Sequence, residues 1–224
     1  MAKRVPAPQA SPPSPPAPRR RGGRLASGGV IMDAATTLFL RKGYAGTSMD
    51  EIAALAGVSK QTIYTHFIDK ERLFSDLVLL NAERVDQFVA EVEAIFLGAE
   101  DMEKAFTGLA RRYIGLVIRP EVLQLRRLVI GEAARFPDLA DIYFKRVPER
   151  VLGALAAQLG RLAERGLLRT PDRMLAANHF VALILWTPLD RAMFHPEPES
   201  LSAKVLDKLA SDGVRVFLAA YGKS

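Results

Sequence analysis

The chain has 224 residues, 49% of them hydrophobic and 25% charged, with 31 lysines and arginines against 25 acids and no cysteine. That is one or two domains with ample material for a core, and it excludes a disulfide scaffold, a thiol nucleophile, iron–sulfur clusters and cysteine-ligated zinc. The longest stretch without formal charge, residues 174–189, is too short to span a bilayer and holds Asn178, His179 and Pro188, so a soluble protein of the reducing cytoplasm, with no membrane partner, is expected.

Lys3, Arg4, Arg19, Arg20, Arg21 and Arg24 lie in residues 1–24 with no acid among them, so this segment carries the whole net charge of +6. It also holds seven of the fourteen prolines. Such a segment cannot bury enough apolar surface to offset its ordering entropy, and a disordered or polyproline-like tail is expected over residues 1–26. No apolar run follows its charges, so it does not read as a secretory signal. A basic arm touching DNA and a passive solvated extension are both open readings of it.

From Val30 onward the apolar period is helical, and no run of alternating β-branched residues interrupts it. Val30, Ile31, Ala34, Ala35, Leu38 and Phe39 trace one face of a first helix that stops at Gly43. Ser48-Met49-Asp50-Glu51 reads as a capping box that starts a short second helix ending at Gly57. Ser59 caps a third helix ending near Phe67, and Asp69 caps a long fourth one reaching about Phe96. Further helices are expected over 101–118, 121–136, 138–166, 172–194 and 201–221, with Pro148 kinking or splitting the third of these and Pro120, Pro137, Pro171, Pro196 and Pro198 at junctions. The domain division expected is a tail over 1–26, a three-helix unit over 27–74 and a helical bundle over 75–224.

Two short helices joined by Leu55-Ala56-Gly57-Val58-Ser59 make a helix-turn-helix: Ala56 and Gly57 let the helices approach and Val58 plugs the angle. Ile52, Leu55, Val58, Ile63 and Phe67 are the expected inward set. That leaves Lys60, Gln61, Thr62, Tyr64 and Thr65 outward on the third helix, with His66 near its end. The face is polar and almost free of acids, which suits a recognition helix: amide and ammonium groups read base edges while hydroxyls reach phosphate. Lys70 stands in the first turn of the fourth helix, where the macrodipole disfavours a cation. A phosphate there would be held by helix amides and lysine together, and Thr47 is placed to do the same before the second helix.

The string Ile31, Ala34, Ala35, Phe39, Gly43, Tyr44, Thr47, Ser48, Ile52, Ala53, Ala56, Gly57, Val58, Ser59, Ile63, Tyr64, Phe67, Lys70 and Leu73 resembles the DNA-binding domain of the TetR-family transcriptional regulators, in register and without a gap. The resemblance implies an all-α homodimer whose third helix lies in the major groove of a palindromic double-stranded DNA operator. It also implies a C-terminal bundle that takes a small-molecule effector and releases the DNA. Carried over by position, Lys60, Gln61 and Thr62 correspond to the base-reading turn, and Tyr64, His66, Lys70 and Thr47 to phosphate contacts. Ser48, Ser59 and Thr65 complete the DNA-facing candidates. The sequence departs from the family at Gly28-Gly29, where charged residues usually open the first helix. The stretch 127–140, including Gly131-Glu132 and Phe136-Pro137-Asp138-Leu139-Ala140, is similar to the C-terminal domain of an AefR-like subgroup.

Candidates for an effector pocket are Phe106, Tyr113, Arg127, His179 and Trp186, each with a plain alternative. Phe106 and Tyr113 share an apolar stripe that core packing would also explain, and His179 and Trp186, seven residues apart, suit core or dimer packing. Arg126, Arg127, Glu132 and Arg135 share one expected helix, where Glu132 and Arg135 are spaced for a surface ion pair and a polar anchor inside a pocket is the sharper alternative. His66, His179 and His195 have no metal-ligand spacing, and no enzyme or cofactor motif is found, so neither catalysis nor a cofactor is expected. The favoured reading is a ligand-released repressor in which the effector tilts the fourth helix and changes the separation of two reading heads about 34–36 Å, or a multiple of that, apart. The rivals are a ligand-blind or architectural DNA-binding protein whose bundle only dimerises, and an enzyme with a borrowed DNA-binding head. The unit from Leu25 to Lys70 has four bases and four acids, so DNA binding is inferred from where Lys60 and Lys70 stand and not from bulk charge.

Overall fold

A computed structural model describes residues 22–195 and 201–223, with all their side chains except those of 22–26 and 81–84. Of the tail expected over residues 1–26, residues 1–21 lie outside the described residues, as does the Pro196–Pro198 junction, and residues 22–26 are helical instead of disordered or polyproline-like. The first helix, α1 (Gly22–Lys42), starts well ahead of Val30 and carries Gly28 and Gly29 inside it. An interior glycine costs about 1 kcal/mol relative to alanine. At Gly28 the bare backbone lies against the third helix, where a Cβ would meet His66 Nδ1 at 3.6 Å.

The next boundaries follow from local caps. In α2 (Met49–Ala56) the Ser48 hydroxyl accepts the Glu51 N–H at 3.2 Å while the Glu51 carboxylate accepts the Ser48 N–H at 3.1 Å, a reciprocal capping box. Gly57, at φ 65°, ends that helix in the left-handed conformation that side chains with a Cβ avoid. Ser59 starts α3 (Lys60–His66), and Asp69 starts α4 (Lys70–Phe96) by accepting the Arg72 N–H at 2.7 Å. Leu55, expected inward, is 54% exposed. Met49, Ile52, Ala53 and Ala56 form the inner face of α2, and at roughly 100° per residue Leu55 turns out of it.

α5 (Met102–Val117) is capped by Asp101, and α6 (Pro120–Glu132) and α7 (Pro137–Phe144) each open on a proline at the first position. α6 stops short of Phe136 because the Arg135 and Phe136 N–H groups both turn back onto the Glu132 carbonyl. The single helix expected over 138–166 is three segments: α7, a π-helical turn over Lys145–Glu149, and α8 (Arg150–Glu164). Pro148 has no N–H to donate and would crowd the preceding turn of an α-helix, and the wider turn accommodates it. α9 (Arg173–Phe194), capped by Asp172, and α10 (Ala203–Tyr221) complete an all-α fold. The extended pairing among the described residues is one isolated bridge between Leu168 and Gly222.

Two main cores share α4. Leu73, Phe74, Leu77 and Val78 on its first half pack with α1, α2, α3 and with Leu125, Leu128, Val129, Leu139 and Tyr143 of α6 and α7. Val85, Phe88, Val92 and Phe96 on its second half pack with α5, α8, α9 and α10. The helix-turn-helix unit therefore shares a core with residues well beyond position 74. Among the described residues no helix is long and apolar enough to cross a membrane.

Candidate functional site

Ile63 and Phe67, one turn apart and both buried, anchor α3 and decide what it presents. Lys60, Gln61, Tyr64 and Thr65 are exposed. Thr62 is half-buried, its hydroxyl 2.8 Å from that of Ser59, which in turn accepts the Thr62 N–H at 3.1 Å. The Thr65 hydroxyl donates to the Gln61 carbonyl at 2.8 Å. Lys60 Nζ stands 2.8 Å from the Asp50 carboxylate, with both side chains 64% exposed, and that hydrogen bond raises the pKa of the ammonium. A pair this open contributes little to stability and is easily given up for another anion. Ser48 is committed to its capping box, and His66 is half-buried between Gly28 and Phe67.

Thr47 and Lys70, expected as phosphate contacts, already have partners within the chain. Thr47 is 2% exposed and its hydroxyl donates to the Gly43 carbonyl at 2.8 Å. Lys70 Nζ donates to the carbonyls of Tyr44 and Thr47 at 3.0 and 2.9 Å and lies 4.2 Å from the centre of the Tyr44 ring. Two carbonyl dipoles and an aromatic face offset the unfavourable helix dipole, which is the reason a cation stands there. Tyr44 is flanked by Arg135, whose guanidinium is 4.8 Å from its ring centre, and packs edge-on against Phe136 at 4.8 Å. Arg135 thus lies over aromatic rings and is not paired with Glu132. The arrangement fastens the α1–α2 loop to the α6–α7 turn.

A cavity of about 90 Å³ lies between α4, α5, α6, α7, the π turn and α8. Its walls are mostly valine and leucine, with Tyr113, Tyr143 and Arg126 as polar groups inside and Arg119 also in the lining. Burial pushes the Tyr113 phenol up to about 12, against the lowering effect of the Arg126 charge, and burial raises Tyr143 in the same way. Both hydroxyls are therefore protonated donors at neutral pH. Among the described residues Arg126 has no hydrogen-bond or ion-pair partner, and no acid lines the cavity.

Of the five pocket candidates, Tyr113 stands in this wall and the other four do not. Phe106 is 1% exposed in the core, packed on Phe96, Phe180 and Phe217. Arg127 points away from the cavity and donates to the carbonyls of Ala192 and Met193 at the end of α9. His179 is exposed, its Nδ1 2.6 Å from the Tyr221 hydroxyl, and Trp186 is 73% exposed. Leu175, Leu183, Trp186 and Phe194 of α9, with Val216 of α10, leave a large apolar surface open on these two helices. Tyr143 carries no signal in the sequence, whereas Arg126 belongs to the charged group, with Arg127, Glu132 and Arg135, for which a polar anchor inside a pocket is one reading, and Pro148 marks the break where the π turn stands.

Residues 31–77 match the family described as bacterial regulatory proteins, tetR family, and residues 104–223 match the C-terminal domain of AefR-like transcriptional repressors. The chain belongs to the TetR family. A TetR-family regulator from Mesorhizobium loti is 40% identical, covers 92% of this chain and all of its own, and superposes with a TM-score of 0.82. The flavonoid-responsive regulator FrrA is 30% identical over 88% of this chain and 97% of its own, with a TM-score of 0.68. The transcriptional regulator AcrR of Shigella flexneri is 41% identical over 30% of this chain, which spans 32% of AcrR. TetR-family proteins are DNA-binding transcriptional regulators and not enzymes, and they bind operator DNA as dimers.

Proposed function

We propose that this TetR-family chain is a cytoplasmic repressor released from a palindromic operator when a small molecule fills the cavity beside Tyr113, Arg126 and Tyr143. Two subunits, joined through the open apolar surface of α9 and α10, place their α3 helices in successive major grooves. Lys60, Gln61 and Tyr64 reach base edges and phosphates there, with Thr65 and His66 alongside. Thr62 and Ser59 act mainly by holding the first turn of α3 in place.

The observation that carries the effector half of this reading is the layout of α6. Arg126 lines the cavity, Arg127 holds the end of α9, and Leu128 and Val129 pack in the core of the helix-turn-helix. α4 makes a second link, with Val85 in the cavity wall and Leu77 in the reading head's core. A molecule that repositions either helix moves the reading heads relative to the dimer helices. The energetic requirement is that it bind one spacing better than the other. The AefR-like match supports repression, and the response of FrrA to flavonoids supports an effector. The cavity favours this reading over a bundle that serves assembly alone.

The test is selection of a binding site from random duplex DNA with the purified dimer, followed by affinity measurements on Lys60→Ala and Tyr64→Ala. Both variants should lose affinity for the selected site about tenfold or more. Unchanged affinity in both would remove α3 from the interface.

A further inference from the structure

We propose that the cavity takes a single-ring aromatic carboxylate, its carboxylate paired with the Arg126 guanidinium and its ring against the valine and leucine walls. The inference rests on the reading of this cavity as the effector site and goes beyond it by naming the ligand's charge and size.

Arg126 sets the charge. It is half-buried, borders an apolar cavity, and among the described residues has no acid or carbonyl partner. A half-buried guanidinium without a partner gives up part of its hydration, and an incoming anion offsets that loss. A neighbouring arginine shows the contrast: Arg127, on the same turn, spends its donors on two backbone carbonyls. The Tyr113 and Tyr143 hydroxyls, kept protonated by burial, add donors and no competing negative charge. Arg119 lines both the cavity and an adjoining open groove of about 470 Å³. In that groove Arg111 and Arg112 are already paired with Asp207 and Glu91, which leaves Arg119 as a cation on the approach.

The walls set the rest. A phosphate would give up too much hydration among valines and leucines, whereas a carboxylate matches the planar guanidinium with two parallel hydrogen bonds. At about 90 Å³ the cavity is smaller than the roughly 150 Å³ that encloses a benzene ring in an engineered core. A single ring is therefore the upper limit of size, and it enters only where the wall yields. The π turn, whose Val147 and Pro148 form part of the wall, is the segment placed to yield.

The experiment is calorimetric titration of the full-length dimer with sodium benzoate and with benzamide, its uncharged near-isostere. It is repeated on Arg126→Gln and on Val122→Phe, which places a ring in the cavity; thermal melts establish that both variants are folded. Benzoate should bind about tenfold or more tighter than benzamide to the native dimer, Arg126→Gln should bring the two within about threefold, and Val122→Phe should abolish both. Failure of benzoate to bind, benzamide binding as tightly, or a benzoate preference that survives in Arg126→Gln overturns the assignment of an anionic ligand. Benzoate binding undiminished in Val122→Phe puts the site elsewhere and overturns the reading of the cavity itself.

Discussion

Lys70 is clamped by Tyr44: its ammonium donates to the Tyr44 carbonyl at 3.0 Å and lies 4.2 Å from the centre of the same residue's ring. A cation at a helix N-terminus that looks in sequence like a phosphate hook is thereby part of the frame that holds the α1–α2 loop.

The clamp predicts a stability effect. Lys70→Met removes the partner of two carbonyls at a half-buried position and should cost about 1–3 kcal/mol, lowering the melting temperature by several degrees in a chain of this size. Its effect on the salt dependence of operator binding should be small, because the ammonium is already occupied. A drop in the salt slope of about one would mean that Lys70 leaves its carbonyls for a phosphate when DNA arrives.

Lys60 is the opposite case, an ammonium held among the described residues by the exposed Asp50 carboxylate alone. Asp50→Asn removes that acid from the surface that faces DNA and frees the lysine. Non-specific DNA affinity should rise, and its dependence on salt should steepen. Titration of a random duplex at two ionic strengths measures both, and an unchanged affinity would show that Asp50 does not compete with phosphate for Lys60.

The buried tyrosines predict an alkaline limit. The Tyr113 phenol ionises near pH 12 in the folded chain against about 10 when exposed. A folded-state value raised in this way stabilises the protein fully below pH 10, and the contribution disappears as pH climbs from about 10 to 12. Its size is on the order of 2–3 kcal/mol. Tyr143 acts in the same direction. Melting curves between pH 8 and 12 should fall less steeply for Tyr113→Phe than for the native protein; parallel curves would show that Tyr113 is not desolvated.

The open surface of α9 predicts association. Trp186, the sole tryptophan, is 73% exposed in a single subunit. In a dimer built on α9 and α10 its fluorescence should be blue-shifted and should move to the red on dilution. Trp186→Glu should sediment as a monomer and lose operator affinity. A Trp186→Glu protein that remains a dimer would place the interface on other helices.

Much of the fold was legible because its determinants are local. Ser48 with Glu51, Ser59 with Thr62 and Asp69 with Arg72 each act across three residues, and these caps stand where the sequence places them; Asp101 caps α5 through Lys104 in the same way. The helical cost of Gly28 and Gly29 is visible in the sequence, whereas the approach of Gly28 to His66 is a tertiary contact. Lys70 and Thr47 stand out by position, but the carbonyls that hold them leave no mark on composition. The cavity was the least legible part. Arg126 and Arg127 are neighbours separated by a rotation of about 100°, and nothing in their types says which one meets the cavity and which one reaches a helix end more than sixty residues away.

That rotation has an evolutionary consequence. Residues 126, 127 and 128 radiate from one turn of α6 into a ligand-sized space, the end of α9 and the packing behind α3. A substitution that reshapes what the space accepts also disturbs the other two contacts, so lineages that acquire a new inducer through this turn should carry compensating changes in the reading head. Changes on the valine-lined walls of α5 and α8 are free of that burden, and directed evolution of new responses should draw its first successes from them.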